Sequence, residues 1–253
     1  EKETTVTNAI YIPECNEIER TVQATETFVT TWPFTYQAFF NQSHPAMVDL
    51  ILDGTGPNIK ADNKSTPGTF ISSSPQEFCG PFRTSDIDAS LDLINKETKR
   101  LCICVMYYAP VTLYGTETQY WADLDSALRI AAVERNVEIN LLVSQWNYTV
   151  DENNQYLLAL DVLDNVSVKF FEVPEIPGVN IPHTRTNHAK YLITSTATSI
   201  TTSNWSADYF LSTGGVSYIT NDTEITEQVQ WAFDRDWNSQ YVTPITHCTF
   251  QME

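Results

Sequence analysis

The chain has 253 residues, 42% hydrophobic and 18% charged, enough to bury a large core as one domain or two small ones. Its 14 Lys and Arg against 32 Asp and Glu give a formal charge of -18 and a pI near 4.4, a field that repels polyanions and disfavours electrostatically driven duplex binding. No apolar run approaches the roughly 20 residues that span a bilayer, so no transmembrane segment is expected in this chain. Residues 1–80 are rich in Thr, Ser, Pro and Asn and read as a lead-in of loops, with an amphipathic pattern over Glu17–Phe28 and a Ser/Pro cluster from Ser72 to Pro75. From Thr84 the pattern sharpens. Ser85 can cap a helix whose Ile87, Leu91 and Ile94 recur at i, i+4 and i+7, and a strand-like run from Leu101 to Tyr107 follows. A second helix carries Trp121, Leu124, Leu128 and Ala131 on one face, ahead of a buried strand from Val137 to Val143. A third pair places a helix around Gln155–Leu163 and a strand around Val166–Val173. After the Pro-rich loop Pro174–Pro182 come a strand, turn and strand from His188 to Ser203, a strand near Val216–Ile219 and a helix over Thr223–Trp237. This alternation predicts an α/β layered domain over residues 81–253 with a largely buried sheet.

Two features bear on compartment. N-x-S/T sites begin at Asn41, Asn63, Asn147, Asn165, Asn204 and Asn221, a density expected of a chain that has passed through the secretory pathway. The five cysteines are Cys15, Cys79, Cys102, Cys104 and Cys248, and an odd count in an oxidising compartment leaves a free thiol or an intermolecular bridge. Cys102 and Cys104, two apart in an apolar run, point to one side of a strand and read as buried small hydrophobes. The competing reading, a metal pair, lacks a second Cys/His pair at ligand spacing.

The chemistry concentrates in Asn187-His188-Ala189-Lys190-Tyr191 and in Thr201-Thr-Ser-Asn204-Trp-Ser206. On a strand His188 and Lys190 share a face, with Tyr191 and Ile193 turned away. An imidazole can attack phosphorus or protonate a leaving oxygen, while Lys190 and the amide of Asn204 hold nonbridging oxygens. Such chemistry requires neither a metal nor another cofactor. Cations available for a nucleic-acid groove are sparse: Lys190, Arg185 and Lys169. Trp146 and Trp205 read either as core residues or as surfaces on which bases stack.

H-x-K followed by a T-S-N turn resembles the signature of the phospholipase D superfamily, most closely its D3 and D4 group of secretory-pathway and endolysosomal proteins. The resemblance extends to Ile71-Ser-Ser-Ser-Pro75, Arg83-Thr84, Val105-Met106, Trp121, Glu134-Arg135, Ile181-Pro182, Tyr209-Phe210 and Arg235-Asp236-Trp237. It implies a phospholipase D fold of two similar α/β halves, of which this chain resembles the second, and phosphodiester cleavage or transfer through a phosphohistidine. For the D3 and D4 group it implies 5′ exonuclease action on single-stranded nucleic acid or phospholipid transfer, in a secreted or endolysosomal setting. His188 then stands as the catalytic histidine, with Lys190 and Asn204 as its phosphate contacts. The resemblance also pairs Cys79 with Cys248, leaving Cys15 to bridge to a second chain carrying the other half, with Glu1 arising from cleavage between the halves. Asn41, Asn63, Asn147, Asn165 and Asn221 remain as glycosylation sites.

Three departures from the family pattern open a second reading, a catalytically degenerate glycoprotein kept for binding or structure. No other His in the chain is followed two places on by Lys. The acid expected five places after Lys190 is Ser195, and the glycine expected at the start of the turn is Thr201. A third arrangement is a homodimer in which two copies of His188 meet.

Overall fold

A computed structural model describes residues 68–79, 84–114, 117–150, 153–178 and 181–245. The chain divides into two units, Glu1–Lys60 with Glu77–Arg83, and Ala61–Gln76 with Thr84–Glu253, and the sheet and its helices belong to the second. The helical pattern at Glu17–Phe28, Cys15, Cys248, Asn41 and Asn63 lie outside the described residues.

In chain order the elements are β1 (Thr69–Ser74), α1 (Asp86–Lys96), β2 (Arg100–Val105), β3 (Tyr108–Ala109), α2 (Asp123–Arg135), β4 (Glu138–Gln145), α3 (Asn154–Asp161), β5 (Val166–Glu172), β6 (Tyr191–Ile193), β7 (Thr198–Thr201), β8 (Trp205–Ser206), α4 (Ala207–Leu211), β9 (Gly215–Thr220), α5 (Thr223–Trp237) and β10 (Val242–Pro244). Eight strands form one mixed sheet in the order β1-β9-β7-β6-β2-β4-β5-β10, and β3 with β8 forms a two-stranded annex. The expected alternation of helices and buried strands is present, with parallel pairing where a helix crosses over: β2 with β4, and β4 with β5. On the other side of β2, β6 pairs antiparallel and the β6–β7 hairpin leads on to β9. Thr69–Ser74, within the expected lead-in, is an edge strand of this sheet, antiparallel to β9.

Strand alternation divides the core into two layers. Leu101, Ile103 and Val105 of β2 join Ile139, Leu141 and Val143 of β4 under α1, α2 and α3. Cys102 and Cys104 face the other way, packing with Leu142, Tyr191, Ile193 and Phe233 of α5. The reading of these cysteines as buried small hydrophobes accords with their environment, each being 1% exposed. Burial pushes the Cys102 thiol up to about 11 and the Cys104 thiol up to about 12, so both keep their protons at neutral pH.

Local chemistry sets the helix starts. Ser85 accepts from the Asp88 amide at 3.2 Å and returns its hydroxyl to the Asp88 carboxylate, as its capping position predicts. Asp222 likewise accepts from the Glu224 and Ile225 amides, opening α5 at the expected Thr223. At the other end of α2, Asn136 takes the left-handed conformation, φ 55°, and turns the chain into β4.

Because Leu141 is fully buried at the centre of the sheet, Leu141→Ala is expected to destabilise the fold by about 2–5 kcal/mol through lost burial and a residual cavity. Urea unfolding followed by circular dichroism checks this; a loss below about 1 kcal/mol would place the core elsewhere.

Candidate functional site

The His188–Lys190 segment departs from its predicted conformation. β6 starts at Tyr191, so residues 187–190 precede the strand instead of forming part of it. The cause is a local turn centred on Asn187. Its side-chain oxygen accepts from the Ala189 amide at 3.1 Å, its side-chain nitrogen donates to Cys104 Sγ at 3.5 Å, and its carbonyl accepts from the Ser144 hydroxyl. A short polar side chain that bonds its own backbone two residues on competes with the sheet ladder. Asn187 thus ties the segment to both β2 and β4. Read along the sequence, Asn187 is given no positioning role, although an Asn three places before the last residue of a loop is the available signal.

The turn gives the two side chains different exposure. His188 is exposed, whereas Lys190 is only 6% exposed. The Lys190 ammonium donates back to the His188 carbonyl at 3.0 Å, and among the described residues no carboxylate forms an ion pair with it. Burial lowers the Lys190 ammonium to about 8, against a smaller opposing effect of Cys104. Burial, with the adjacent Lys190 charge, also holds the His188 imidazole below its ordinary value. The pair therefore combines an imidazole biased toward its neutral, nucleophilic form with a buried cation whose remaining N–H donors lack an anionic partner.

The Thr201–Ser206 segment is joined to Lys190 through the backbone, the Thr201 N–H donating to the Lys190 carbonyl at 3.0 Å. Thr201 does more than occupy a glycine position. Its hydroxyl accepts from the Ser203 amide at 3.0 Å and from the Ser217 hydroxyl at 2.8 Å, closing the turn by a side-chain bond. Asn204 is 4% exposed and its side-chain oxygen has no partner among the described residues; the Ser203 and Ser206 hydroxyls are likewise buried and unpartnered. Gly215 allows the close approach that packs this turn, since a Cβ there would lie 2.5 Å from Ser74 Oγ and 2.6 Å from Ser203 Oγ.

The remaining candidates divide. Trp205 is core, 3% exposed. Trp146 instead lies in a surface cluster in which Tyr148 stacks on His183 at 4.2 Å between ring centres, with Trp146 4.9 Å from Tyr148. Lys169 donates to the Trp237 carbonyl and lies over its ring, and Arg185 is bound to the Pro174 carbonyl. Lys190 and Arg185 each donate only to a backbone carbonyl among the described residues, but of the three cations considered for a groove Lys190 alone is buried. The described residues gather no cluster of three His, Cys, Asp or Glu suited to a metal, and no helix among them is long and apolar enough to cross a membrane.

Comparison with known proteins follows the same line. Residues 53–176 match a family model described as "PLD3/4, PLD-like domain". Phospholipase D Z of Dictyostelium discoideum is 43% identical over 216 residues, covering 85% of this chain and 49% of that protein. The 5'-3' exonuclease PLD3 of Xenopus laevis is 34% identical over 229 residues, 85% of this chain and 44% of the relative. Mouse 5'-3' exonuclease PLD4 is 34% identical over 227 residues, 83% and 42% respectively. The chain thus spans about half the length of the curated relatives it matches. Among solved structures, NucT from Helicobacter pylori aligns with a TM-score of 0.52 at 15% identity, covering 68% of this chain and 98% of NucT, a likeness of fold.

The unpaired ammonium makes a testable demand on stability. With a folded-state value of about 8 below the ordinary lysine value, the unfolded chain holds its proton to higher pH, so stability rises as pH climbs through about 8 toward the unfolded value near 10.4. Lys190→Met, apolar and of similar length, is expected to raise stability at pH 7 by on the order of 1–3 kcal/mol and to abolish that alkaline rise. Urea unfolding of both proteins at pH 7 and pH 9.5 checks this. A variant less stable at pH 7 would mean that the ammonium is satisfied.

Proposed function

Because the chain belongs to the phospholipase D superfamily, we propose that it supplies one histidine–lysine half of a phosphodiesterase site whose other half is carried by a second chain. The single observation that carries this reading is the buried Lys190 ammonium, with no carboxylate paired to it among the described residues, close enough to the exposed His188 imidazole to help bias it to its neutral form. A diester phosphate placed there supplies the missing anion. One imidazole attacks phosphorus and the bond to the leaving oxygen breaks, while the other histidine protonates that oxygen. Water then attacks the phosphohistidine, the P–N bond breaks, and the second histidine accepts the water proton. Lys190 and Asn204 stabilise the nonbridging oxygens as their charge grows. His188 fits either of the two histidine roles.

The substrate is a nucleic-acid end or a phospholipid. Relatives named 5'-3' exonuclease support the first and those named phospholipase D the second. The formal charge of -18 favours a short end held at one phosphate over a long duplex tract. The companion half is proposed to be the N-terminal one, linked through Cys15, and the setting a secreted or endolysosomal lumen. A second reading, the degenerate glycoprotein, is favoured by one observation: the Thr201 hydroxyl takes the Ser203 amide that a glycine at that position would leave to a phosphate.

His188→Ala in the protein purified with its companion chain separates the two readings. The phosphodiesterase reading expects hydrolysis of a 5′-hydroxyl single-stranded oligonucleotide or of a model diester to fall by about a thousandfold or more. Because the imidazole stays neutral to lower pH than usual, activity governed by its free base is expected to persist below the ordinary imidazole value of about 6.5. Diester hydrolysis that is absent from the native protein, or unchanged in the variant, supports the degenerate reading.

Passage through the secretory lumen carries a site-resolved expectation. Asn147 and Asn221 are exposed, whereas the Asn165 side-chain nitrogen donates to the Ala132 carbonyl at 3.0 Å and the Val137 carbonyl at 2.8 Å. Glycopeptide mapping of secreted protein is expected to find Asn147 and Asn221 occupied and Asn165 bare. Full occupancy at Asn165 would mean that this bridge between α2 and β4 is dispensable.

A further inference from the structure

Glu97 is a buried acid in an unfavourable place. It caps the C-terminus of α1, where the helix dipole repels a negative charge. It is 3% exposed, and no cation among the described residues forms an ion pair with it. Every hydrogen bond to its carboxylate has a specific origin. One oxygen accepts from the backbone amides of Thr98 at 2.7 Å and Lys99 at 2.6 Å, and from the Ser195 hydroxyl at 3.1 Å; the other accepts from the Ser195 amide at 2.5 Å. Burial alone would push the Glu97 carboxyl up, but the amides of Ser195, Lys99 and Thr98 and the Ser195 hydroxyl outweigh it and hold the group below its ordinary value. It is an ionised carboxylate kept in place by neutral donors.

Ser195 is the position at which the family pattern carries an acid, five places after Lys190. It lies in the turn between β6 and β7, a turn otherwise closed by Thr194, whose amide donates to the Ala197 carbonyl and whose hydroxyl accepts from the Ala197 amide. At the other end of the same hairpin stand Lys190, joined to Thr201, and the Thr201–Asn204 turn. β6 also pairs with β2, the strand that follows Glu97. The Glu97 carboxylate therefore clamps the distal end of the hairpin to the α1–β2 connection.

We propose that Glu97 is the acid of this chain's histidine–lysine motif, relocated from position 195 to the α1–β2 loop, and that it acts as a positioning residue for Lys190 and Asn204 by holding the β6–β7 hairpin. Its kinetic consequence rests on the phosphodiesterase reading above; its structural consequence does not. Ser195 Oγ lies 3.1 Å from the Glu97 oxygen that bonds Thr98 and Lys99, so a glutamate side chain placed at 195 reaches the same amides from the opposite side. The sequence departure at Ser195 is then half of an exchange between two positions.

The experiment compares Glu97→Ala, Glu97→Gln and the exchange variant Glu97→Ala/Ser195→Glu in the protein with its companion chain. Hydrogen exchange of the Thr98, Lys99, Ser195 and Ala197 amides is read first, then kcat and KM on a model diester. Glu97→Ala is expected to speed exchange at these amides by about tenfold or more and to lower kcat by about tenfold with KM little changed. The exchange variant is expected to recover both to within about threefold of the native protein. Glu97→Gln, which keeps the size and an acceptor oxygen, is expected to fall between them and serves if the alanine variant does not fold. The proposal is overturned if the exchange variant is no better protected than Glu97→Ala, or, should Glu97→Ala not fold, no better than Glu97→Gln. It is equally overturned if Glu97→Gln leaves both exchange and kcat at native values. If the native protein has no diester activity, the phosphodiesterase reading fails, and recovery of amide protection in the exchange variant still decides whether Glu97 is the relocated acid.

Discussion

An ammonium buried at the mouth of a central hairpin, bonded among the described residues to one backbone carbonyl, is the constraint on which the candidate site depends. Lys190 immediately precedes the short strand β6, which lies in the middle of the eight-stranded sheet between β7 and β2. An isolated buried cation is costly unless its environment is held rigidly or supplied with an anion. Rigidity comes from the layers on either side. Leu192 packs toward α1–α3 while Tyr191 and Ile193 pack toward α5, so the residue after Lys190 cannot rotate the segment without exposing one layer or the other. The lysine is thereby held buried with no ion-pair partner among the described residues, the condition that the proposed phosphate would relieve.

The same arrangement separates a local field from the global one. The chain is strongly acidic, yet two of the basic side chains considered for a groove have other attachments: Lys169 to Trp237 and Arg185 to Pro174. Screening limits surface charges to about a Debye length, whereas Lys190 acts within a low-dielectric surround where a charge–charge interaction is much stronger. On the proposed reading, a single phosphate is attracted by one buried cation, while an extended polyanion meets a repulsive surface.

Much of the architecture was legible as periodicity. The Thr223–Trp237 helix has the predicted bounds because Asp222 is a strong cap and the apolar face recurs at helical spacing. The buried strands from Arg100, Glu138 and Val166 announced themselves as short apolar runs between turns. Thr69–Ser74 was illegible as a strand because its serines pair with β9 at the sheet edge and carry little apolar signal. At the site the motif residues were legible and their conformation was not. Alternation placed His188 and Lys190 on one strand face, but the turn at Asn187 comes first, held by that residue's carbonyl on Ser144 and its side chain on Cys104, 43 and 83 residues away in sequence. Long-range contacts of that kind leave no local pattern to read.

Ser195 and Thr201, read along the sequence as two losses, have different standing in three dimensions. At 195 the missing carboxylate has a proposed counterpart in Glu97, which contacts both the amide and the hydroxyl of the serine and so places a negative charge at that turn. At 201 the change alters the supply of donors. A glycine leaves the Ser203 amide open, whereas the Thr201 hydroxyl closes on it and is itself fixed by Ser217 across on β9. The turn gains a side-chain brace and loses a backbone donor, so on the proposed reading the burden of holding a phosphate shifts onto Lys190 and the Asn204 amide group. A site so altered would lean on its lysine more heavily than one with a full set of backbone donors, which makes the burial of Lys190, with no ion-pair partner among the described residues, the feature on which that reading turns.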